Sequence, residues 1–417
     1  MNTRKATVND EKEIKALWAY CFEKPSDPFF EWYFKECYTP DTVLVGEENG
    51  LVACDLHRRP YKLSVRGKSF DTDYIVGVAT HPAARGRGYA SSLLRGAFHL
   101  AAMEEKPFVT LMPSAASYYL PMGFGFYAHQ WERKGSPEDI APLGKRAKAV
   151  RTLDREEDWE ELSLIYDAYT NHRNGYALRD GTSWKMHMRG QLVEGYIVVV
   201  YDDRGPAGYM FYSLDDRRML VSEMAFTGEN GRKGLYAYMA DHRGSIDECI
   251  WYEPIDDTSY RYWNDGAEHT YIKNRSFPFM LCRLTDPVTA FDGIPCDKDL
   301  TGTFAFQLID SFLPENNGIY LLKAEDGVIK ALKEDVFYSL KQHIEDISGV
   351  KMGPAIPEPA FSVTACHLAE LFMGVADLSE LSELERVTWL TGKEKENVLK
   401  LADRMLPKEK NWINEWF

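Results

Sequence analysis

The chain has 417 residues, enough for two to four domains. It is 45% hydrophobic, 13% aromatic and 27% charged, an ordinary globular balance with ample core material. The formal net charge of −15 argues against a nucleic-acid surface, which needs basic patches. It suits a cationic substrate as well as plain solubility.

Seven cysteines are scattered and none forms a Cys-x-x-Cys pair. An odd, dispersed set reads as reduced thiols, so neither a disulfide framework nor a metal site is expected. The start of the chain, from Met1, is polar and lacks the apolar core of a signal peptide. No run approaches the roughly 18 apolar residues that a membrane span needs. The expectation is a cytoplasmic protein.

Ile14, Leu17 and Trp18 share one helix face. The runs from Thr42 to Gly46 and from Leu51 to Leu56 flank an Asn49-Gly50 hairpin signal. An apolar strand over 74–80 follows, then a helix from about 88 to 103. Ala90, Leu93, Leu94, Ala97 and Ala101 give that helix an apolar stripe. The next strand is Phe108 to Met112. The order is therefore helix, hairpin, strand, helix, strand.

The order then restarts. Leu162, Ile165 and Tyr166 repeat the first helix spacing. Runs from Tyr196 to Tyr201 and from Ala207 to Tyr212 flank a turn, a strand spans Met219 to Phe226, and a helix follows near Leu235. This is a diverged internal repeat. The last 130 or so residues differ. Strand patterns at Thr303–Ile309, Ile319–Leu322 and Val328–Leu332 precede helical patterns at about 365–373, 381–390 and 393–405. They predict a small α+β unit with a meander-like sheet. The final ten residues hold Trp412, Trp416 and Phe417, which is unusual for a free end.

Between strand 74–80 and its helix lies His81-Pro-Ala-Ala-Arg-Gly-Arg-Gly-Tyr-Ala90. A glycine-rich turn at a helix N-terminus presents backbone N–H groups in a geometry that binds pyrophosphate. The third glycine of a dinucleotide fingerprint is missing, and so is the Gly-Lys-Ser/Thr of a P-loop. With strand, turn and helix in order, Arg85-x-x-Gly88-x-Ala90 resembles the acetyl-CoA motif of the GNAT N-acetyltransferase superfamily. The resemblance implies that Val78, Ala79 and Thr80 hold the pantetheine arm. It also implies that Arg85, Gly86, Arg87, Gly88, Tyr89 and Ala90 hold the pyrophosphate, with Ser114 completing the cofactor set. In the repeat, Gly231 falls where Arg85 would, Tyr236 replaces Ala90 and only Gly234 matches Gly88, so the second copy reads as structural.

Tyr119 stands four residues before Gly123-Phe124, where such enzymes commonly place a tyrosine. A phenol with pKa near 10 lies close enough to a thiol near 8.5 to protonate the departing thiolate. Tyr118 is adjacent and stays open as the alternative.

Tandem GNAT-like units, a sterol-carrier-like domain and an aromatic terminus together are similar to the enhanced intracellular survival (Eis) family of bacterial acetyltransferases. That resemblance implies α/β and α+β multidomain architecture. A catalytic GNAT domain would span 1–140, a degenerate one 141–285, and a sterol-carrier-protein-like domain 286–407. A tail, 408–417, would return to the first active site. It further implies that the carboxylate of Phe417 is the general base and that the chain forms a hexamer. The sequence departs from the family at Trp416, where members that acetylate aminoglycosides can carry an acidic residue, with Glu415 one place earlier. The expected activity is acetyl-CoA-dependent acetylation of a primary amine on a small cationic molecule, aminoglycoside-like or polyamine, or of a lysine. The alternative is a non-catalytic carrier of an apolar ligand through the C-terminal domain.

Overall fold

The Asn49-Gly50 signal makes the turn it predicts. Both residues adopt positive φ, 55° and 80°, which matches the twist of the strands they join. In the computed structural model, which describes residues 2–263, 272–335, 357–392 and 394–416, the chain divides into two units. One comprises Met1–Leu17, Pro40–Ala128 and Phe279–Asn411, and the other Trp18–Thr39, His129–Pro278 and Trp412–Phe417. No helix among the described residues is long and apolar enough to cross a membrane.

The N-terminal part runs β1 (Asn2–Lys5), α1 (Glu11–Cys21), α2 (Pro28–Glu36), β2 (Val43–Glu48), β3 (Leu51–Val65), β4 (Lys68–Thr80), α3 (Tyr89–Met103), β5 (Phe108–Leu111), α4 (Ala116–Tyr119) and β6 (Gly125–Gly135). In the first unit β1 to β4 pair antiparallel in chain order, and β4 pairs parallel with β5. The apolar stripe of α3 buries Leu93, Leu94, Ala97, Phe98 and Ala101 against Leu44, Cys54, Leu56, Ile75, Val109 and Leu111 of the sheet. Cys54 and Leu56 are alternate residues of β3, so Asp55 and His57 point to the opposite face.

In the second unit come α5 (Pro137–Ile140), β7 (Ala149–Leu153), α6 (Trp159–Thr170), β8 (Tyr176–Ala177), α7 (Gly181–Glu194), β9 (Tyr196–Asp202), β10 (Gly205–Asp215), β11 (Arg218–Phe226), α8 (Glu229–Ala240) and β12 (Glu248–Pro254). The strand order is β6-β12-β11-β10-β9-β7. Val198 and Val200 of β9 pack with α8, while Ile197 and Val199 pack with α6 and α7. Alternation along one strand thus covers both sheet faces with helices.

The first unit resumes within β13 (Lys273–Leu284), whose Leu281–Leu284 segment pairs antiparallel with β5. After α9 (Pro287–Phe291), β14 (Gly302–Ile309), β15 (Gly318–Glu325) and β16 (Val328–Lys333) form the expected meander. The meander stops there, because β17 (Phe361–Thr364) joins β14 in parallel. Helices Ala365–Met373 and Lys395–Met405 match their patterns, residue 393 lying outside the described residues. The pattern at 381–390 is corrected. A short helix, Leu378–Glu383, starts where the Asp377 side chain caps it and ends before Glu385, which has φ of 55°. Val387–Trp389 then forms β18, as β-branched Val387 and Thr388 favour.

Candidate active site

β4 and β5 share a ladder only at Asp73–Val109 and Tyr74–Thr110. β5 ends at Leu111 while β4 continues to Thr80. Among the described residues, Ile75–Thr80 therefore have no strand partner on the β5 side. Opposite them β3 carries one residue fewer, since Asp55 faces Ala79 but His57 faces Val76. Gly77, at φ of 58°, supplies the extra bulge residue that bends the strand. Val78, Ala79 and Thr80 thus lie at the far end of an opening lined by backbone N–H and C=O groups.

A charged cluster closes the narrow end of this opening. Arg58 Nε donates to Asp73 at 2.7 Å, and its terminal nitrogens donate to Glu104 at 3.2 and 2.6 Å. Lys106 reaches the other Asp73 oxygen at 2.7 Å. These groups come from β3, β4, the residue after α3 and the approach to β5. Burial would raise the Glu104 pKa, but Arg58 and Lys106 outweigh it and hold the carboxyl at about 2. The cluster fixes where the two strands part.

The chain leaves β4 through a short helical turn at Pro82–Ala84 that His81 caps. Arg85 Nε donates to the carbonyl of Thr80 at 3.2 Å, which ties the turn to the strand end. Gly86 and Gly88 both adopt φ of 76°, and a side chain built on either would meet no atom of the described residues within 4 Å. The positive φ and the open space together leave room for a ligand against backbone. α3 begins at Tyr89 with no side chain capping its N-terminus. Its first amides are available to an anion. Arg87 is held by both oxygens of Glu48 at 2.8 and 2.9 Å, and the Tyr89 hydroxyl donates to Glu48 at 2.8 Å.

Tyr119 ends α4, its ring 9% exposed and 5.8 Å from that of Phe124. Its hydroxyl makes no hydrogen bond among the described residues. Burial pushes the phenol up to about 12, with Tyr118 adding to the effect. Tyr118 is 47% exposed and stands edge-on to Tyr119 at 5.0 Å. Gly123 is needed because the Arg283 guanidinium, itself 2.5 Å from Asp310, lies against its backbone. Ser114 is exposed on the segment between β5 and α4. The first unit therefore holds the strand opening, the glycine-rich turn and Tyr119 within residues 76–124.

An acetyltransferase (GNAT) domain model matches residues 2–127, a second acetyltransferase (GNAT) domain model matches 175–282, and a sterol carrier protein domain model matches 288–414. The chain carries two GNAT domains followed by a sterol carrier protein domain. It is an N-acetyltransferase by its domains. No curated protein matches the chain in sequence. Among solved structures, it is similar to a probable N-acyltransferase from Enterococcus faecalis V583, with TM-score 0.80 and 18% identity over 100% of this chain and 99% of that one. A GCN5-related N-acetyltransferase from Anabaena variabilis ATCC 29413 gives TM-score 0.80 and 16% identity, covering 100% of both chains. Eis1 from Mycobacterium abscessus gives 0.71 and 16%, again covering 100% of both. At these identities the likeness is one of fold.

Among the described residues the second GNAT domain has no comparable glycine-rich turn. α8 starts at Glu229, so Gly231 and Gly234 are buried helical residues. A methyl on Gly231 would strike the carbonyl of Ala207, and one on Gly234 would touch Val200 and Ala147. These glycines serve close helix-to-strand packing. The tail residues Trp412 to Trp416 belong to this second unit, and Phe417 lies outside the described residues.

Sequence reasoning missed Asp55, Glu48 and the Arg58–Asp73 cluster. Asp55 is fully buried, and neither carboxyl oxygen has a well-formed hydrogen bond among the described residues. Burial raises its pKa well above the usual carboxylate range, with the Ala79 amide opposing. His57, two residues on, is held neutral by burial, its pKa lowered to about 3. The one available signal was a run of charged residues inside an otherwise apolar strand.

Proposed function

We propose that the first GNAT domain transfers an acetyl group from acetyl-CoA to a primary amine of a cationic acceptor: an aminoglycoside-like molecule, a polyamine or a lysine side chain. The observation that carries this reading is the opening between β4 and β5, with the Val78–Thr80 backbone on one side and the uncapped start of α3 beyond it. Pantetheine pairs with the strand as a β-strand would, and the pyrophosphate takes the turn Arg85–Gly88 and the amides of Tyr89 and Ala90. Ser114, on the segment that leaves β5, completes the proposed cofactor set.

The reaction needs three events. The acceptor ammonium loses a proton to the carboxylate of Phe417, directly or through water. The free amine attacks the thioester carbonyl carbon, whose oxygen is polarised by strand N–H groups. The carbon–sulfur bond breaks, and the thiolate leaves against the hydroxyl of Tyr119. A phenol near 12 is a weaker acid than a thiol near 8.5. Tyr119 therefore acts chiefly by a hydrogen bond to the developing thiolate, and solvent completes the protonation. Holding both reactants in place supplies much of the rate. The net charge of −15 supports a cationic acceptor. A cytoplasmic setting and a homo-hexamer accompany this reading, the first from the scattered thiols and the second from the Eis resemblance.

Thiol release from acetyl-CoA, followed across a panel of aminoglycosides, polyamines and lysine peptides, tests the proposal. Turnover that depends on the amine is expected. No release with any amine would overturn it. Removing Phe417 should abolish turnover while CoA still binds, and full activity in the shortened chain would refute the base assignment.

A further inference from the structure

The second GNAT domain repeats the parting of strands. β11 pairs in parallel with β12 only over Arg218–Val221 and then continues to Phe226. A bulge falls at Ser222, because Phe211 faces Glu223 and Tyr212 faces Val221. In the first domain the corresponding bulge faces the cofactor opening. Here the chain's own C-terminal segment makes the contact. The Asn414 side-chain amide donates to the carbonyl of Ser222 at 2.6 Å. Gln130 of β6 donates to the carbonyl of Ile413 at 2.7 Å and to the Asn414 side chain at 3.1 Å. The Trp412 N–H donates to the carbonyl of Asn174 at 2.9 Å, and its indole packs on Tyr166 and Tyr169. The Trp416 ring lies 4.4 Å from that of Tyr252.

One ionic group fixes the end of this segment. Arg179 Nε and one terminal nitrogen donate to Glu415 at 3.0 and 2.7 Å. The terminal nitrogens also grip both oxygens of Glu223 on β11, at 2.8 and 2.7 Å. The guanidinium lies over the rings of Tyr166 and Trp184. Tyr209 donates to Glu223 at 2.5 Å, and His187 stands 3.1 Å from it. Arg179 and Glu415 are each only 4% exposed at their side chains. Buried ion pairs contribute little net stability compared with apolar packing of the same volume. Their strength is direction, because a planar fork of N–H groups donates to carboxylates only along a fixed approach. A segment without helix or strand is here held at a defined register by charge.

We propose that the second GNAT domain is the receptor for the C-terminal segment, with Arg179 the positioning residue that sets it through Glu415. The docking stands on the contacts above. The catalytic consequence rests on the assignment of Phe417 as base, since Glu415 is two residues from it.

Glu415→Gln in the full-length chain tests this. It keeps the side-chain shape and leaves Arg179 paired with Glu223. Release of Phe417 and Trp416 by a carboxypeptidase of aromatic specificity should be at least about tenfold faster. kcat should fall at least about tenfold, with KM for acetyl-CoA unchanged. Arg179→Lys, which keeps the charge but loses the fork, should lie between Glu415→Gln and wild type in both readouts. Unchanged release in Glu415→Gln would overturn the docking. Faster release with unchanged kcat would overturn the positioning role. In that case removal of Phe417 alone decides the base assignment, so the two ideas fail separately.

Discussion

Asp55 faces Ala79 across the β3–β4 ladder, and a buried carboxyl lies there beside the backbone proposed to hold the thioester. Burial raises the pKa of this group well above the usual carboxylate range, the Ala79 amide opposing. In the unfolded chain it ionises near 3.9. Between that value and the folded pKa the folded state binds the extra proton, so stability falls as pH rises. Denaturation midpoints measured from pH 5 to 8 should decline more steeply for wild type than for Asp55→Asn. Parallel slopes would mean that Asp55 is ionised in the native protein.

The turn predicts a separation of binding from turnover. Arg85→Ala removes the tie to Thr80 and a positive charge beside the proposed pyrophosphate site. KM for acetyl-CoA should rise about tenfold, as expected for one charge-assisted contact, with kcat within a factor of about two. A fall in kcat at constant KM would place Arg85 in the chemistry instead.

Gly88→Ala tests the same turn through its backbone. At φ of 76° an alanine is strained by roughly 1–2 kcal/mol. Nothing among the described residues opposes the added methyl, so it would occupy the proposed ligand space. CoA binding by calorimetry should weaken by more than the loss in thermal stability accounts for. A stability loss without an affinity loss would move the pyrophosphate elsewhere.

Tyr119→Phe should lower kcat by about a hundredfold, the effect of losing one hydrogen-bond donor to developing charge, with KM for acetyl-CoA unchanged. The comparison is Tyr118→Phe. If that variant suffers the larger loss, the exposed ring is the donor and Tyr119 is packing.

Asp73→Asn should destabilise the first unit by about 3 kcal/mol, because it strips a buried carboxylate from Arg58 and Lys106. Thermal unfolding reads the loss. A neutral outcome would show that Glu104 alone satisfies both cations.

Local chemistry made much of this legible beforehand. Asn49-Gly50, the stripe from Ala90 to Ala101 and the Arg85–Ala90 turn each depend on neighbours within a few residues. The strand opening was out of reach, since it depends on β5 stopping at Leu111 while β4 continues. The docking of Glu415 on Arg179 was equally hidden, since 236 positions separate the two residues. Three aromatics near the end signalled that the tail is seated, but not on what. The pattern at 381–390 misled because helical periodicity over a few residues does not register a residue such as Glu385 with positive φ.

Gly231 gives the internal duplication a direction. Its helix rests directly on the carbonyl of Ala207, so no larger residue fits without moving a strand. Grafting the arginine of the first turn onto that position would break the packing before any cofactor arrived. Reviving a second active centre would require rebuilding helix and strand together, so single substitutions offer this half of the molecule no path back to catalysis.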